Sequence, residues 1–180
     1  MMKVLFVCTG NTCRSSMAEG IAKALLKDKR INGIEVLSAG TMALPGSPAS
    51  EFAVDVLKDM GIDISEHKAS MVDSDILEEV NLILTMTKSH YYQLLQLNPG
   101  IKEKVFTLGE YVGIEGDIPD PIGGPKEVYD GCAQVLKQLI NMAFNKIEKT
   151  KGKKTEESTA SEEMSGEKDE KKIDSNKNND

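Results

Sequence analysis

Cys8 and Arg14 stand at the two ends of a short loop in VCTGNTCRSS, with Gly10 and Asn11 between them and Ser15 and Ser16 just beyond. These residue types, in this order, can build an oxyanion cradle around a thiolate. The apolar run that ends at Cys8 reads as a strand, a loop follows it, and the next helix presents its positive N-terminal end. Arg14 adds a planar fork of donors matched to phosphate oxygens. A thiolate placed there attacks phosphorus and becomes a phosphocysteine, while Arg14 holds two equatorial oxygens and the charge that builds on them. Ser15 can donate to the Cys8 sulfur. Gly10 permits close approach or positive φ, and Asn11 tolerates left-handed backbone while its amide braces the loop. The bare Cys–Arg spacing is weak, and a cysteine ending a buried strand is usually core. Its place between strand and helix makes the reading catalytic.

That chemistry needs an acid for the leaving group and later a base for water. The segment Gly116-Asp117-Ile118-Pro119-Asp120-Pro121-Ile122-Gly123-Gly124 reads as a rigid surface loop able to hold a carboxylate over a pocket. Asp120, locked before Pro121, is the expected general acid, and Asp117 is second. The histidines are His67 and His90, and no cysteine–histidine spacing suits zinc. Neither a metal nor a cofactor is expected.

The elements that must position these groups follow from apolar periodicity. Short β-rich runs fall at Lys3–Val7, Glu35–Ser38, Leu82–Thr85 and Val105–Thr107. Helical stretches are expected at Ser16–Lys27, Pro48–Met60, Asp73–Glu79 and Lys88–Leu97. A last helix is expected from Lys126 to about Lys149, burying Val128, Cys132, Val135, Leu139 and Met142 on one face. Gly61 reads as a helix stop. Apolar strands alternating with helices imply an α/β fold, a parallel sheet covered on both faces in a single three-layer domain. The first strand belongs at its centre, since ligands bind beyond the carboxyl ends of such strands.

Composition sets the bounds. At 180 residues the chain holds one ordinary domain, expected over residues 1–150, with a mainly aliphatic core. From Lys151 the sequence is Lys- and Glu-rich, with Met164 and Ile173 its sizeable apolar side chains, so residues 151–180 are expected to be a disordered tail or a helix that forms only on a partner. The net charge of -7 argues against a nucleic-acid surface. No apolar run is long enough for a bilayer, and the N-terminus lacks a signal-peptide layout. Three cysteines without framework spacing point to a reducing cytoplasm.

VCTGNTCRS together with the late Asp-Pro loop resembles the low-molecular-weight protein tyrosine phosphatases. The resemblance runs from residue 3 to about 148, and Ser38-Ala39-Gly40 and Leu82–Met86 also look like family segments. It implies a four-stranded parallel sheet flanked by helices and a metal-free, two-step phosphatase that acts on phosphorylated proteins as a monomer. By the same resemblance Cys8 is the nucleophile, Arg14 the phosphate clamp and Asp120 the acid. Thr9, Gly10, Asn11, Thr12, Cys13 and Ser15 then line the phosphate loop. His67, in Gly-Ile-Asp-Ile-Ser-Glu-His-Lys-Ala, matches a family histidine that supports Asn11 and Ser15 from behind; by its own local sequence it reads as a surface residue. Cys13 matches a position where a cysteine can pair with the nucleophile and protect it from deeper oxidation, whereas Cys132 reads as core.

Two positions depart from the tyrosine-phosphatase pattern. Thr12 stands where a bulky aliphatic is common, and Ile122 where a tyrosine walls the slot for a phenyl ring. Thr12 and the Asp-Pro-x-Gly-Gly sequence look instead like the bacterial protein arginine phosphatases of the same family, although those carry phenylalanine at the Ile122 position. Phosphotyrosine and phosphoarginine both stay open. Two rivals are weaker. A thioredoxin-coupled arsenate reductase shares the N-terminal sequence but needs cysteines after the third strand, where this chain has Leu84-Thr85-Met86-Thr87-Lys88-Ser89-His90. A phosphocarrier module of the sugar-transport IIB kind needs neither Arg14 nor a distant acid.

Overall fold

A computed structural model describes residues 1–170, with side chains described as far as residue 150. Four strands form one parallel sheet: β1 (Met2–Cys8), β2 (Ile34–Gly40), β3 (Leu82–Thr85) and β4 (Val105–Thr107), in the spatial order β2-β1-β3-β4. Both short C-terminal strands match their expected bounds, and β1 lies between β2 and β3 as expected. Val4 to Cys8 are all buried, which is what a strand covered on both faces requires. Successive side chains alternate between faces. Leu5 and Val7 join Ile83, Val105, Leu77, Leu94 and Ile101 in one core cluster, leaving Val4 and Phe6 for the opposite face.

The helices are α1 (Arg14–Asp28), α2 (Glu51–Asp59), α3 (Ser74–Glu79), α4 (Lys88–Leu97), α5 (Leu108–Val112) and α6 (Lys126–Glu170), with a 3-10 turn at Pro99–Ile101. Helix α1 opens at Arg14, two residues before the expected start, so the arginine belongs to its first turn. Helix α2 ends as expected: Met60 caps it and Gly61 takes φ 76°, the left-handed geometry of a glycine stop. Helix α5 was not foreseen. A capping box, Thr107 with Glu110, starts this single short turn, too brief to leave an apolar period.

The chain divides into two units, Met1–Ala143 and a second from Phe144 onward. Helix α6 corrects two expectations. Its buried side chains within the first unit are Tyr129, Cys132, Ala133, Leu136, Leu139, Ile140 and Ala143, whereas Val128, Val135 and Met142 are exposed. The two stripes sit one residue apart on the helix, and the inner one was hidden because small Ala133 and Ala143 carry part of it. The helix also continues to Glu170, past the expected end near Lys149. Lys, Glu, Ala and Ser without proline keep helix propensity even where no apolar face exists. Residues 171–180, the last part of the segment expected to be disordered, lie outside the described residues.

The corrected face predicts a contrast between adjacent residues. Leu136→Ala should cost about 2–5 kcal/mol in urea unfolding, while Val135→Ser should stay within about 0.5 kcal/mol; equal losses would reinstate the Val128–Val135–Met142 face.

Candidate active site

The register of β1 against β2 sets Cys8 beside Gly40 at the carboxyl edge of the sheet. From there the loop is anchored by its carbonyls. Those of Cys8 and Thr9 accept the amides of Thr41 and Met42, both at 2.9 Å, and that of Thr12 accepts Ser50 N at 2.9 Å. The Asn11 carbonyl accepts His67 Nε2 at 2.7 Å, and the Cys13 carbonyl accepts Met17 N at 2.9 Å and Ser16 Oγ at 2.8 Å. In a planar trans peptide the N–H points opposite to the carbonyl. Carbonyls tied outward therefore turn the N–H groups of Thr9, Gly10, Thr12, Cys13 and Arg14 toward the loop interior. No side chain caps the N-terminus of α1, so its amides add to the same positive field.

Two backbone features make this wrap feasible. Asn11 takes the left-handed conformation at φ 55°, as its residue type allows, while Gly10 does not need a positive φ. A Cβ on Gly10 would meet nothing closer than Thr12 Oγ1 at 3.5 Å. The glycine that the packing demands is Gly40, where a Cβ would lie 2.3 Å from the Thr9 carbonyl and 2.9 Å from Asn11 N. The loop folds directly against the end of β2, and only a residue without a side chain leaves room.

Cys8 Sγ lies 2.9 Å from Ser15 Oγ, both nearly without exposure. Asn11 Nδ2 donates to Ser15 Oγ at 2.9 Å and to Ser38 Oγ at 2.8 Å, and Asn11 Oδ1 accepts Ser70 N at 2.8 Å. Ser38 Oγ in turn donates to Glu19 Oε2 at 2.5 Å. Ser15 Oγ also approaches the Ala39 carbonyl at 3.3 Å, so its single proton has two destinations. Beside a thiolate it goes to sulfur. His67 is not a surface residue: its side chain is 10% exposed, held between the Asn11 carbonyl and Glu19, with Nδ1 4.0 Å from Oε2. It supports Asn11 directly, and Ser15 through Asn11. A cleft behind the loop reaches Glu19, Ser38, His67 and Ser70.

Arg14 is buried and already engaged. Its Nη2 donates to Asp120 Oδ2 at 2.5 Å and its Nη1 to the Ile118 carbonyl at 3.1 Å. Ile118 N donates to the Met86 carbonyl at 2.8 Å, which fastens the Asp-Pro loop to the end of β3. Asp117, the second acid candidate, instead accepts Lys88 N at 2.9 Å and holds the first turn of α4. Asp120 keeps 43% of its side chain exposed, and Oδ1 accepts Ile122 N at 3.2 Å. Among the two candidates, Asp120 faces the arginine.

Thr12 is partly exposed, with Oγ1 3.7 Å from Cys13 Sγ. Cys13 Sγ donates to Ser50 Oγ at 3.3 Å and lies 3.5 Å from Tyr129 Oη. Cys132 is core, as expected, and burial pushes its thiol up to about 12. Sequence reasoning passed over His90, whose Nε2 lies 2.9 Å from Thr9 Oγ1 and whose Nδ1 lies 2.8 Å from Thr87 Oγ1. The one local hint was Thr87 three residues before it, the N-cap of α4. Glu19 and Tyr129 left no local sign, and Ser38 and Gly40 only their place in a family-like segment, because each acts across a long stretch of chain.

Comparison with known proteins places this chain among phosphatases. Residues 3–154 match the model of the family described as low molecular weight phosphotyrosine protein phosphatase. A protein-arginine-phosphatase of Geobacillus stearothermophilus is 43% identical over 147 residues, covering 81% of this chain and 96% of that protein. The crystal structure of a low molecular weight protein tyrosine phosphatase from T. tengcongensis is 48% identical, covers 81% of this chain and 99% of that one, and superposes with a TM-score of 0.78. The arginine phosphatase YwlE, in a variant with a phosphorylated active-site serine, is 36% identical, covers 82% and 97% of the two chains, and gives a TM-score of 0.79.

Two measurements test the site's construction. Gly40→Ala should cost about 1–3 kcal/mol through the forced backbone shift and abolish the thermal stabilisation conferred by inorganic phosphate; retained stabilisation would show that the loop does not need this glycine. The second concerns His90, whose ring is lowered to about 4, first by burial and then by the Arg14 charge, with Asp120 and Asp117 opposing. The unfolded chain therefore takes up the proton first as pH falls. Stability due to neutral His90 is full above about 6.5 and is lost toward about 4. In urea unfolding, His90→Gln should flatten the decline across that window, and parallel pH profiles would refute this role.

Proposed function

Because the chain belongs to the low molecular weight phosphotyrosine protein phosphatase family, we propose that Cys8, Arg14 and Asp120 carry out the hydrolysis of phosphorylated proteins through a phosphocysteine. The single observation that carries the assignment is Cys8 Sγ, 2.9 Å from Ser15 Oγ, at the base of a loop whose carbonyls are tied outward. The inward amides and Arg14 supply fixed donors where oxyanion charge develops, at no cost in reorganisation.

The reaction runs in two steps. Cys8 thiolate attacks phosphorus, an S–P bond forms, and the bond from phosphorus to the leaving oxygen or nitrogen breaks. Asp120, protonated, gives its proton to that leaving atom. Water then attacks phosphorus, the Asp120 carboxylate accepts its proton, and the S–P bond breaks with its electron pair returning to Cys8. Ser15 donates to the departing thiolate, while Asn11 holds Ser15 in line. The Arg14–Asp120 contact places the carboxyl group beside the guanidinium. An incoming phosphate dianion takes over the guanidinium and releases the carboxyl group for the leaving atom. The relative with a phosphorylated active-site serine supports a phosphoenzyme route.

Both substrate classes are represented among the relatives, an arginine phosphatase and a tyrosine phosphatase at similar identity. Thr12 is the residue we assign as selector, since its small side chain leaves no bulky aliphatic beside a flat ring. Ile122 is 69% exposed and offers no aromatic wall. The rival reactions lack support. Cys132 sits on α6 with its thiol pushed up to about 12, a poor relay for arsenate reduction. A phosphocarrier has no use for Arg14 and Asp120 brought into contact. The odd cysteine count without framework spacing supports a cytoplasmic setting, and a monomer is the expected form.

Turnover of an aryl phosphate should persist in EDTA and be nearly abolished in Cys8→Ser and Arg14→Ala; full activity of Cys8→Ser would end this reading. Asp120→Ala should lower kcat/KM by about 10²–10⁴, most for poor leaving groups. With phosphotyrosine and phosphoarginine peptides compared, Thr12→Ile should swing kcat/KM toward phosphotyrosine, and an unchanged ratio would remove Thr12 as the selector.

A further inference from the structure

The corner between β3 and α4 holds both halves of the site. Met86 N donates to the Val7 carbonyl at 2.9 Å, and the Met86 carbonyl accepts Ile118 N at 2.8 Å. Lys88 N donates to Asp117 Oδ1 at 2.9 Å. The strand that delivers the nucleophile and the loop that delivers the acid are thus fastened to one short segment. His90, one turn further along, adds the only side-chain link described between that segment and the phosphate loop: Nε2 to Thr9 Oγ1 at 2.9 Å. Thr87 Oγ1 occupies the other ring nitrogen at 2.8 Å, so rotation of the ring would break two hydrogen bonds. With 4% exposure, His90 has no water to replace either partner.

We propose that His90 is a positioning residue for proton delivery: by tying Thr9, next to Cys8, to the corner that also holds Asp117 and Ile118, it fixes the distance between the nucleophile and Asp120. The inference rests on the phosphocysteine reading above. Without the tie, Thr9 at the start of the phosphate loop is held to the acid loop only indirectly, through Arg14 and the Val7–Met86 pairing. Attack by sulfur depends on the loop and Arg14 alone and is little affected. Proton transfer to the leaving atom requires Asp120 at hydrogen-bond distance while phosphorus is bound to Cys8, and small misplacements there are costly. The neutral ring also suits the place, beside the Arg14 guanidinium, better than a second cation would.

The discriminating quantity is the leaving-group dependence of kcat/KM across a series of aryl phosphates, measured on the full chain. His90→Ala should lose roughly tenfold with poor leaving groups and less than about twofold with good ones, giving a steeper slope in the direction of Asp120→Ala. His90→Gln, whose amide can still reach Thr9, should restore most of the wild-type slope. Thr9→Val removes the same hydrogen bond from its exposed end and serves if His90→Ala does not fold. It should steepen the slope likewise, and His90→Ala with Thr9→Val should cost no more than either change alone. A uniform loss for all leaving groups, or an unchanged slope in Thr9→Val, overturns the inference while leaving the phosphocysteine reading intact. That reading fails separately, if the wild-type activity survives Cys8→Ser.

Discussion

The outward anchoring of the loop carbonyls is the constraint on which the site depends. A cysteine and an arginine at this spacing make no oxyanion hole unless the amides between them converge, and amides do not choose their direction independently of carbonyls. Here Thr41, Met42, Ser50, His67 and the first turn of α1 each claim a carbonyl, and the amides are left facing inward as a consequence. Much of the surrounding structure can be understood as the supply of those donors. Strand β2 must end at Gly40 so that its following residues pass close enough, and the segment carrying His67 must return to reach the Asn11 carbonyl.

The charged groups are arranged around that frame with the same economy. Arg14 is desolvated by its place in the first turn of α1, and a buried guanidinium without partners would be costly. The Ile118 carbonyl and Asp120 satisfy it, so the loop that carries Asp120 is held in register with Arg14. Phosphate can replace the Asp120 carboxylate on the guanidinium because both are oxyanions of suitable geometry. On the proposed mechanism, the ion pair keeps Asp120 near its place of action.

Legibility in the sequence followed the range of the interactions concerned. Strands β3 and β4 and helix α4 were read to their ends because their apolar patterns and caps are local. Cys8, Arg14, Asn11 and Ser15 were legible as a constellation because a single loop carries them all. The buried face of α6 was misread by one residue, since Val135 and Met142 are larger than Ala133 and Ala143, and size alone does not tell which stripe is buried. His67 looked like a surface residue in its own polar surroundings, and only resemblance assigned it a partner. His90 carried only the Thr87 cap as a hint and Gly40 only its place in a family-like segment: one acts through a ring hydrogen bond, the other through the absence of a side chain.

The sequence by itself carried the proposed chemistry, a cysteine nucleophile, a guanidinium clamp and a carboxylate acid, on an α/β scaffold whose first strand ends at Cys8. These follow from residue type and near spacing, which are properties of the chain before it folds. Only the tertiary structure decided that Asp120 and not Asp117 meets Arg14, that His67 and His90 grip the loop at Asn11 and Thr9, and that Gly40 makes the room for it. Each of those depends on which distant backbones the parallel sheet brings side by side. Strand order and register set that, through the packing of both faces at once, and no local pattern encodes it.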